Sequence, residues 1–368
     1  MILLKNGSEA FPEIIRCIRN SKTEILINMF LWRDDSVGNL IASELYRAAE
    51  RGVKIRIRKD HYGVLSEYGE EDRSSFFVHS LTPKENLESF IFRFIYEPDI
   101  LFKKKRLSDG RLLKKMLYHP NIKIIVGDFA DHSKFFIFDR KIIIFGGVNI
   151  EDRHFLHDRR GRNWRDFMVR IDDSLKVAGF LKKRRGIRSE NAEMFSMNIK
   201  LHGRRFELKD TLLGIINSSE KELTIIMAYF TPLPEFLEAI KKAVLRGVSV
   251  RICLPQNSNI LKASDIKTAS ILLKYSKLGD IKIYLAPDMI HAKIIMNEKE
   301  LTMGSCNLTA RSLDWLGELN LFTPNEDNEF CREVRKAAEE IITGSKPVPP
   351  HTPLLYDPLL AVLEAGMI

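Results

Sequence analysis

Two segments decide the fold: residues 131–149, D-H-S-K-F-F-I-F-D-R-K-I-I-I-F-G-G-V-N, and residues 290–307, I-H-A-K-I-I-M-N-E-K-E-L-T-M-G-S-C-N. Each holds His-x-Lys, then four residues, then an acid: His132, Lys134 and Asp139 in the first, His291, Lys293 and Glu298 in the second. Each continues to Gly-x-x-Asn, ending at Asn149 and Asn307, 17 and 16 positions after the respective histidine. FFIF and IIIF in one copy, IIM and LTM in the other, are strand-like runs joined by polar turns, so each segment is expected to be a β-hairpin. Residues i and i+2 of a strand share a face, which points each His the same way as its Lys. The small residues of Gly-x-x-Asn are expected to let backbone and amide approach a ligand closely.

Outward from these segments the chain repeats itself. Residues 14–33 (IIRCIRNSKTEILINMFLWR) match 212–231 (LLGIINSSEKELTIIMAYFT), each an apolar-faced helix followed by a buried strand. Residues 45–60 and 240–255 each read as a helix stopping near Gly52 or Gly247 and then a β-branched strand. Strand, helix, strand implies parallel pairing with a crossover helix in each half. The fold class is therefore α/β, with two tandem lobes: 1–180, a basic linker at 181–205, and 206–345, followed by a proline-punctuated, apolar tail at 346–368. The first lobe carries 36 extra residues within about 60–120. Part of this insertion, 101–118 (LFKKKRLSDGRLLKKMLY), has seven basic residues against one Asp and suits either an anionic lipid surface or a solvated helix pair.

The 368 residues carry 58 Lys plus Arg against 49 Asp plus Glu, a net charge of +9 that favours polyanionic partners. The four cysteines form no CxxC pair, which excludes a zinc ribbon or disulfide scaffold and suits a reducing, cytoplasmic setting. The longest uncharged stretch, 223–234, is shorter than the roughly 18 residues that span a bilayer, so contact with a membrane is expected to be peripheral.

An imidazole, an ammonium and an amide on one surface, present twice, suit phosphodiester chemistry. Lys134 and Lys293 would neutralise the non-bridging oxygens, and Asn149 and Asn307 would donate hydrogen bonds to them. One imidazole attacks phosphorus while the other protonates the leaving oxygen. Histidine serves both tasks because its ordinary pKa of about 6.5 keeps both forms available near neutrality. The charge balance needs no metal or cofactor. Each histidine needs an orienting carboxylate, and Asp166 in NWRDF and Glu318 in LGELN follow the two motifs. Arg153–Arg165 forms a basic loop expected near the pocket mouth, and its His154, His157 and Asp158 lack the further ligands of a metal cluster.

The duplicated motif resembles that of the phospholipase D superfamily. FLWRDDSVG at 30–38, GGVNI at 146–150, WRD at 164–166, YFTP at 229–232 and the run from His291 to Asn320 look most like bacterial and archaeal cardiolipin synthases. The resemblance covers roughly residues 5–325. It implies two α/β lobes with mixed sheets, related by a pseudo-twofold axis, with the active site at their interface. It implies a metal-independent, two-step phosphatidyl transfer through a phosphohistidine, with His132 as nucleophile and His291 as acid and then base. It carries Lys134, Lys293, Asn149 and Asn307 over as phosphate ligands. Two departures stand out. Glu298 replaces the family's Asp, in a turn where a supporting role is expected, and the N-terminal membrane helices of many bacterial members are absent. The alternative is a nuclease of the same superfamily acting on DNA or RNA.

Overall fold

The computed structural model describes residues 1–70, 74–95, 109–158, 161–200 and 205–367. The first half contributes strands β1 (Ile2–Lys5), β2 (Glu24–Met29), β3 (Lys54–Asp60), β4 (Ile122–Gly127), β5 (Lys134–Phe138), β6 (Ile142–Gly146), β7 (Trp164–Arg165) and β8 (Phe167–Asp172). The second contributes β9 (Phe195–Ile199), β10 (Arg205–Phe206), β11 (Glu222–Met227), β12 (Phe230–Thr231), β13 (Ser249–Pro255), β14 (Ile281–Ala286), β15 (Met289–Ile290), β16 (Lys293–Asn297), β17 (Glu300–Gly304), β18 (Leu308–Thr309), β19 (Glu318–Pro324) and β20 (Lys346–Val348).

The chain divides into two compact units. The first holds Met1–Asn163 and Phe167–Ala192, and the second holds Trp164–Asp166, Glu193–Ile199 and Gly203–Ile368. The sheet of the first unit runs β1-β8-β6-β5-β2-β3-β4. The second unit repeats this as β9-β19-β17-β16-β11-β13-β14, widened by β10 at one edge and β20 at the other. β2, β3 and β4 are parallel, as are β11, β13 and β14, while the hairpins β5–β6 and β16–β17 run antiparallel.

The crossovers form where the apolar spacing requires. Helix Asn6–Asn20 buries Ala10, Phe11, Ile14, Cys17 and Ile18, and helix Ser36–Glu50 buries Ile41, Leu45, Ala48 and Ala49 against the same face of the sheet. Gly52 ends the second of these at φ +94°, with Gly52 N–H bonded to Ala49 O and Val53 N–H to Ala48 O. Gly247, at φ +86°, closes helix Pro234–Leu245 in the same way. Only glycine takes this left-handed stop without strain, which is why the sequence marks it so clearly.

The insertion lies between β3 and β4 and includes helices His61–Gly69, Pro83–Ile95 and Arg111–Tyr118. The corresponding connection in the second unit is helix Lys262–Leu273 followed by one 3₁₀ turn. Of the basic stretch at 101–118, residues 101–108 lie outside the described residues. Helix Arg111–Tyr118 buries Leu113 and Met116 in the core and exposes Leu117 and Tyr118.

The 181–205 segment is more than a linker. Helix Ser174–Lys183 runs into it, and β9 pairs antiparallel with β19 at the edge of the second sheet. The tail from 346 packs on its own unit. β20 pairs with β14, and helix Pro358–Met367 docks on helix Lys262–Leu273, where Glu364 accepts the Ser264 N–H at 2.7 Å. No described helix is long and apolar enough to cross a membrane.

Candidate active site

Both motifs sit at the carboxyl ends of the parallel strands, the usual ligand-binding edge of such sheets. In the first unit Lys134 opens β5 opposite Gly146, the last residue of β6. His132 is buried, its ring edge-on to Phe30 at 4.6 Å. Lys134 Nζ donates to the His132 carbonyl at 2.5 Å and lies 5.1 Å from the Phe30 centroid. Asn149 Oδ1 accepts the Leu31 N–H at 3.3 Å, so the group Asn149 has left to offer is its NH₂.

A buried polar network that the sequence reading missed fixes the loop carrying His132. Asp131 accepts from Ser133 N–H at 3.1 Å and pairs with Arg184, whose Nη2 also reaches Asn28 Oδ1 at 3.1 Å. Asn28 Nδ2 in turn donates to the Ser133 carbonyl at 2.7 Å. Arg184 belongs to the KKRRGIR run assigned to the linker; its signal was hidden among neighbouring surface cations.

The second unit repeats the arrangement with one addition. His291 is buried, and its Nδ1 lies 2.6 Å from Asp166 Oδ2. The carboxylate holds the Nδ1 proton, which leaves Nε2 as the reactive nitrogen. Backbone bonds support the pair: the N–H groups of His291 and Ala292 both donate to the Arg165 carbonyl, at 2.8 and 2.9 Å, beside the parallel bridge of β7 with β15. Trp164 and Tyr229 flank the imidazole, with centroids at 5.4 and 5.9 Å. Lys293 Nζ donates to the His291 carbonyl, as Lys134 does to that of His132. The Asn307 Oδ1 is buried without a hydrogen-bond partner among the described residues, so the fold does not use this amide fully. Thus Asp166, which follows the first motif in sequence, serves the histidine of the second. Glu318 accepts from the Ser305 hydroxyl at the end of β17.

Burial pushes the Lys293 ammonium down to about 8, against the pull of Asp166, Glu318 and Cys306 in the opposite direction. Its folded-state value lies below the ordinary 10.5, so the positive charge is present below pH 8 and lost as pH rises through it. The expected result is an alkaline limb near pH 8 in kcat/KM. Lys293→Arg, whose guanidinium stays charged, should remove that limb, and a pH–rate series on both proteins measures it.

The motif acids are supports. Asp139 accepts the backbone N–H groups of Lys22, Thr23 and Glu24, and Glu298 accepts those of Glu220, Lys221 and Glu222. For both carboxylates burial raises the pKa, but the backbone donors outweigh it and hold the value below the ordinary range. Their contribution to stability is therefore present above the usual carboxylate pKa and lost as pH falls through the lowered one. Asp139→Ala and Glu298→Ala should each cost about 1–2 kcal/mol in urea unfolding while leaving kcat nearly unchanged.

A Cβ on Gly146 would stand 2.3 Å from the Phe167 carbonyl oxygen, and one on Gly304 2.3 Å from that of Leu319. The neighbouring strand, β8 or β19, requires glycine at both positions. Among the described residues of the basic loop after the first motif, three arginines are paired internally. Arg153 pairs with Glu70 and Glu151 at 2.7 and 2.9 Å, Arg162 with Asp158 at 2.8 Å, and Arg165 with Asp288 at 3.1 Å. His154 lies 3.3 Å from Glu151. Cys306 is buried beside the second motif, and burial, followed by the charge of Glu318, raises its thiol well above the ordinary range, which makes it inert packing.

The fold and the doubled His–Lys–Asn set define a phospholipase D-type enzyme. The family model for "Cardiolipin synthase, PLD-like domain" matches residues 14–182 and 212–342, and the chain belongs to this family. Cardiolipin synthase B of Shigella flexneri is 25% identical over 93% of this chain and 80% of its own length, and that of Salmonella typhi 27% over the same shares. Among solved structures, a phosphatidylserine synthase of Haemophilus influenzae Rd KW20 superposes with a TM-score of 0.68 at 14% identity, covering 98% of this chain and 91% of its own. The fold is thus shared beyond recognisable sequence similarity.

Proposed function

We propose that the protein transfers a phosphatidyl group between phospholipids, as a cardiolipin synthase does, through a phosphohistidine on His132. The observation that carries this reading is the repetition, in two separate units, of a buried imidazole whose backbone carbonyl receives the motif lysine, joined in the second unit to a carboxylate on Nδ1.

His132 attacks the phosphorus of phosphatidylglycerol. The bond to the glycerol oxygen breaks, and His291 Nε2 gives that oxygen its proton. Lys134, Lys293, Asn149 and Asn307 hold the non-bridging oxygens as charge builds on them. An acceptor hydroxyl then loses its proton to His291 and attacks the phosphohistidine, restoring both imidazoles. The catalytic contacts are with an anionic lipid, met at a membrane surface.

The test is product analysis after incubation with phosphatidylglycerol vesicles, with single-stranded DNA in EDTA in parallel. Cardiolipin and glycerol are the expected products. Phosphatidic acid alone would mean that water takes the second step. Nucleotide release with no lipid product would replace this reading with the nuclease one.

A further inference from the structure

The two units cover their sheets differently on the face opposite the crossover helices. In the second unit, Arg251 of β13 pairs with Glu339 of helix Glu329–Thr343 at 2.7 Å. Cys253 is buried against Ser345, with Sγ and Oγ 3.3 Å apart, and Tyr284 of β14 is paired with Pro347 of β20. By the strand registers, the counterparts in the first unit are Arg56, Arg58 and Ile125. There the helix after β8 is only Ser174–Lys183, and the arginine that follows it, Arg184, turns inward to Asp131.

Among the described residues, β3 and β4 of the first unit therefore keep an open face. It carries Lys54, Arg56 and Arg58 from one strand and Lys123 and Ile125 from the other, with Arg56 beside Lys123 and Arg58 beside Ile125. Lys54, Arg56 and Lys123 are exposed, and Ile125 is 39% exposed, high for an apolar strand residue. The Phe129 ring packs over Gly127 at the end of β4, and the Arg58 guanidinium stacks on it at 4.1 Å. Of the acids near this face, Glu24 of β2 stands beside Lys54 but pairs with Arg140, Asp60 and Asp128 sit at the strand ends, and Asp60 is turned inward to the N–H groups of Tyr62 and Asp131.

We infer that this basic face of β3 and β4 docks the protein on an anionic phospholipid surface. The cations match phosphate headgroups, while Ile125 and Phe129 lie among them where the apolar edge of the headgroup layer would be. The second unit carries a basic pair at the same registers, Arg251 beside Lys282, but there Glu339 and Asp280 answer it, whereas no acid among the described residues pairs with Arg56 or Lys123. The inference rests on the lipid reading above for its choice of partner. It also places the docking surface beside Arg58 and Asp131, at the strand ends where His132 sits.

The test is flotation of the full-length protein with phosphatidylglycerol/phosphatidylethanolamine vesicles and with neutral vesicles, for the wild type and for R56E/K123E. Salt-sensitive binding to the anionic vesicles is expected, at least tenfold weaker in the variant. Turnover of long-chain phosphatidylglycerol in vesicles should fall by a similar factor, while turnover of a short-chain, monomeric analogue stays unchanged. If the charge reversal disturbs folding, as read by thermal unfolding, R56Q/K123Q should still weaken binding about fivefold. Equal vesicle binding by variant and wild type would overturn the inference, and so would weaker binding to single-stranded DNA with vesicle binding intact. A wild type that turns over no lipid, yet binds vesicles through these residues, would sink the substrate reading and leave the docking surface standing.

Discussion

His132→Ala is expected to lower phosphatidyl transfer by about 10⁴-fold or more and to abolish covalent labelling of the protein by a radiolabelled phosphatidyl donor. The nucleophile cannot be replaced by a neighbour. In the first unit Lys134 lies on the same face, but its ammonium is held by the His132 carbonyl. The variant should remain folded, because Asp131, Arg184, Asn28 and Ser133 fix the loop around position 132. His291→Ala separates the two roles. It should also be inactive on natural lipid, yet it should still form the covalent intermediate from a diester with a nitrophenol leaving group, which needs no general acid. Labelling of the His132→Ala protein, or failure of His291→Ala to label with the activated diester, would reverse the assignment of nucleophile and acid.

The second large effect is expected at Asp166. Replacing it by Asn keeps the size and removes the charge that holds the Nδ1 proton, where Nδ1 and Oδ2 stand 2.6 Å apart. The amide can present its NH₂ to Nδ1 instead, which favours the wrong tautomer and moves the proton to Nε2, where proton acceptance is needed in the second step. By analogy with other buried His–carboxylate pairs, turnover should fall by about 10²–10⁴-fold with KM little changed. Asp166→Glu should recover part of this if the longer chain fits between Trp164 and His291. Steady-state kinetics on the three proteins distinguish these outcomes, and an Asp166→Asn enzyme within threefold of the wild type would remove Asp166 from the mechanism.

Much of this was legible in the chain before any coordinates. The helix-to-strand order, the glycine stops at 52 and 247 and the two hairpins follow from local rules: apolar spacing, left-handed backbone at a helix end, and polar turns between β-branched runs. The placement of each His with its Lys follows from strand alternation alone. What escaped depends on contacts distant in sequence. Asp166 meets His291 only because Trp164 and Arg165 bridge Met289 and Ile290, and a two-residue parallel bridge leaves no periodic trace. Arg184 escaped because one inward cation cannot be told from its outward neighbours by composition. A second reason for the motif glycines is hidden too: Gly146 and Gly304 yield space to the next strand, whose position is a property of the assembled sheet. The tail from 346 finds its place through one edge strand and one buried Glu364, again visible only once the second sheet exists.

The excursion of residues 164–166 has a practical corollary for dissecting the molecule. A recombinant piece starting at 206 would contain the whole second motif but would deprive its imidazole of the tripeptide that steadies it, and a piece ending at 163 would leave that tripeptide out of both products. Reconstitution from halves therefore demands a cut downstream of Asp166, with the leading piece donating its own stretch of backbone to the trailing one. The second repeat is not a self-sufficient building block, although it looks complete when read letter by letter.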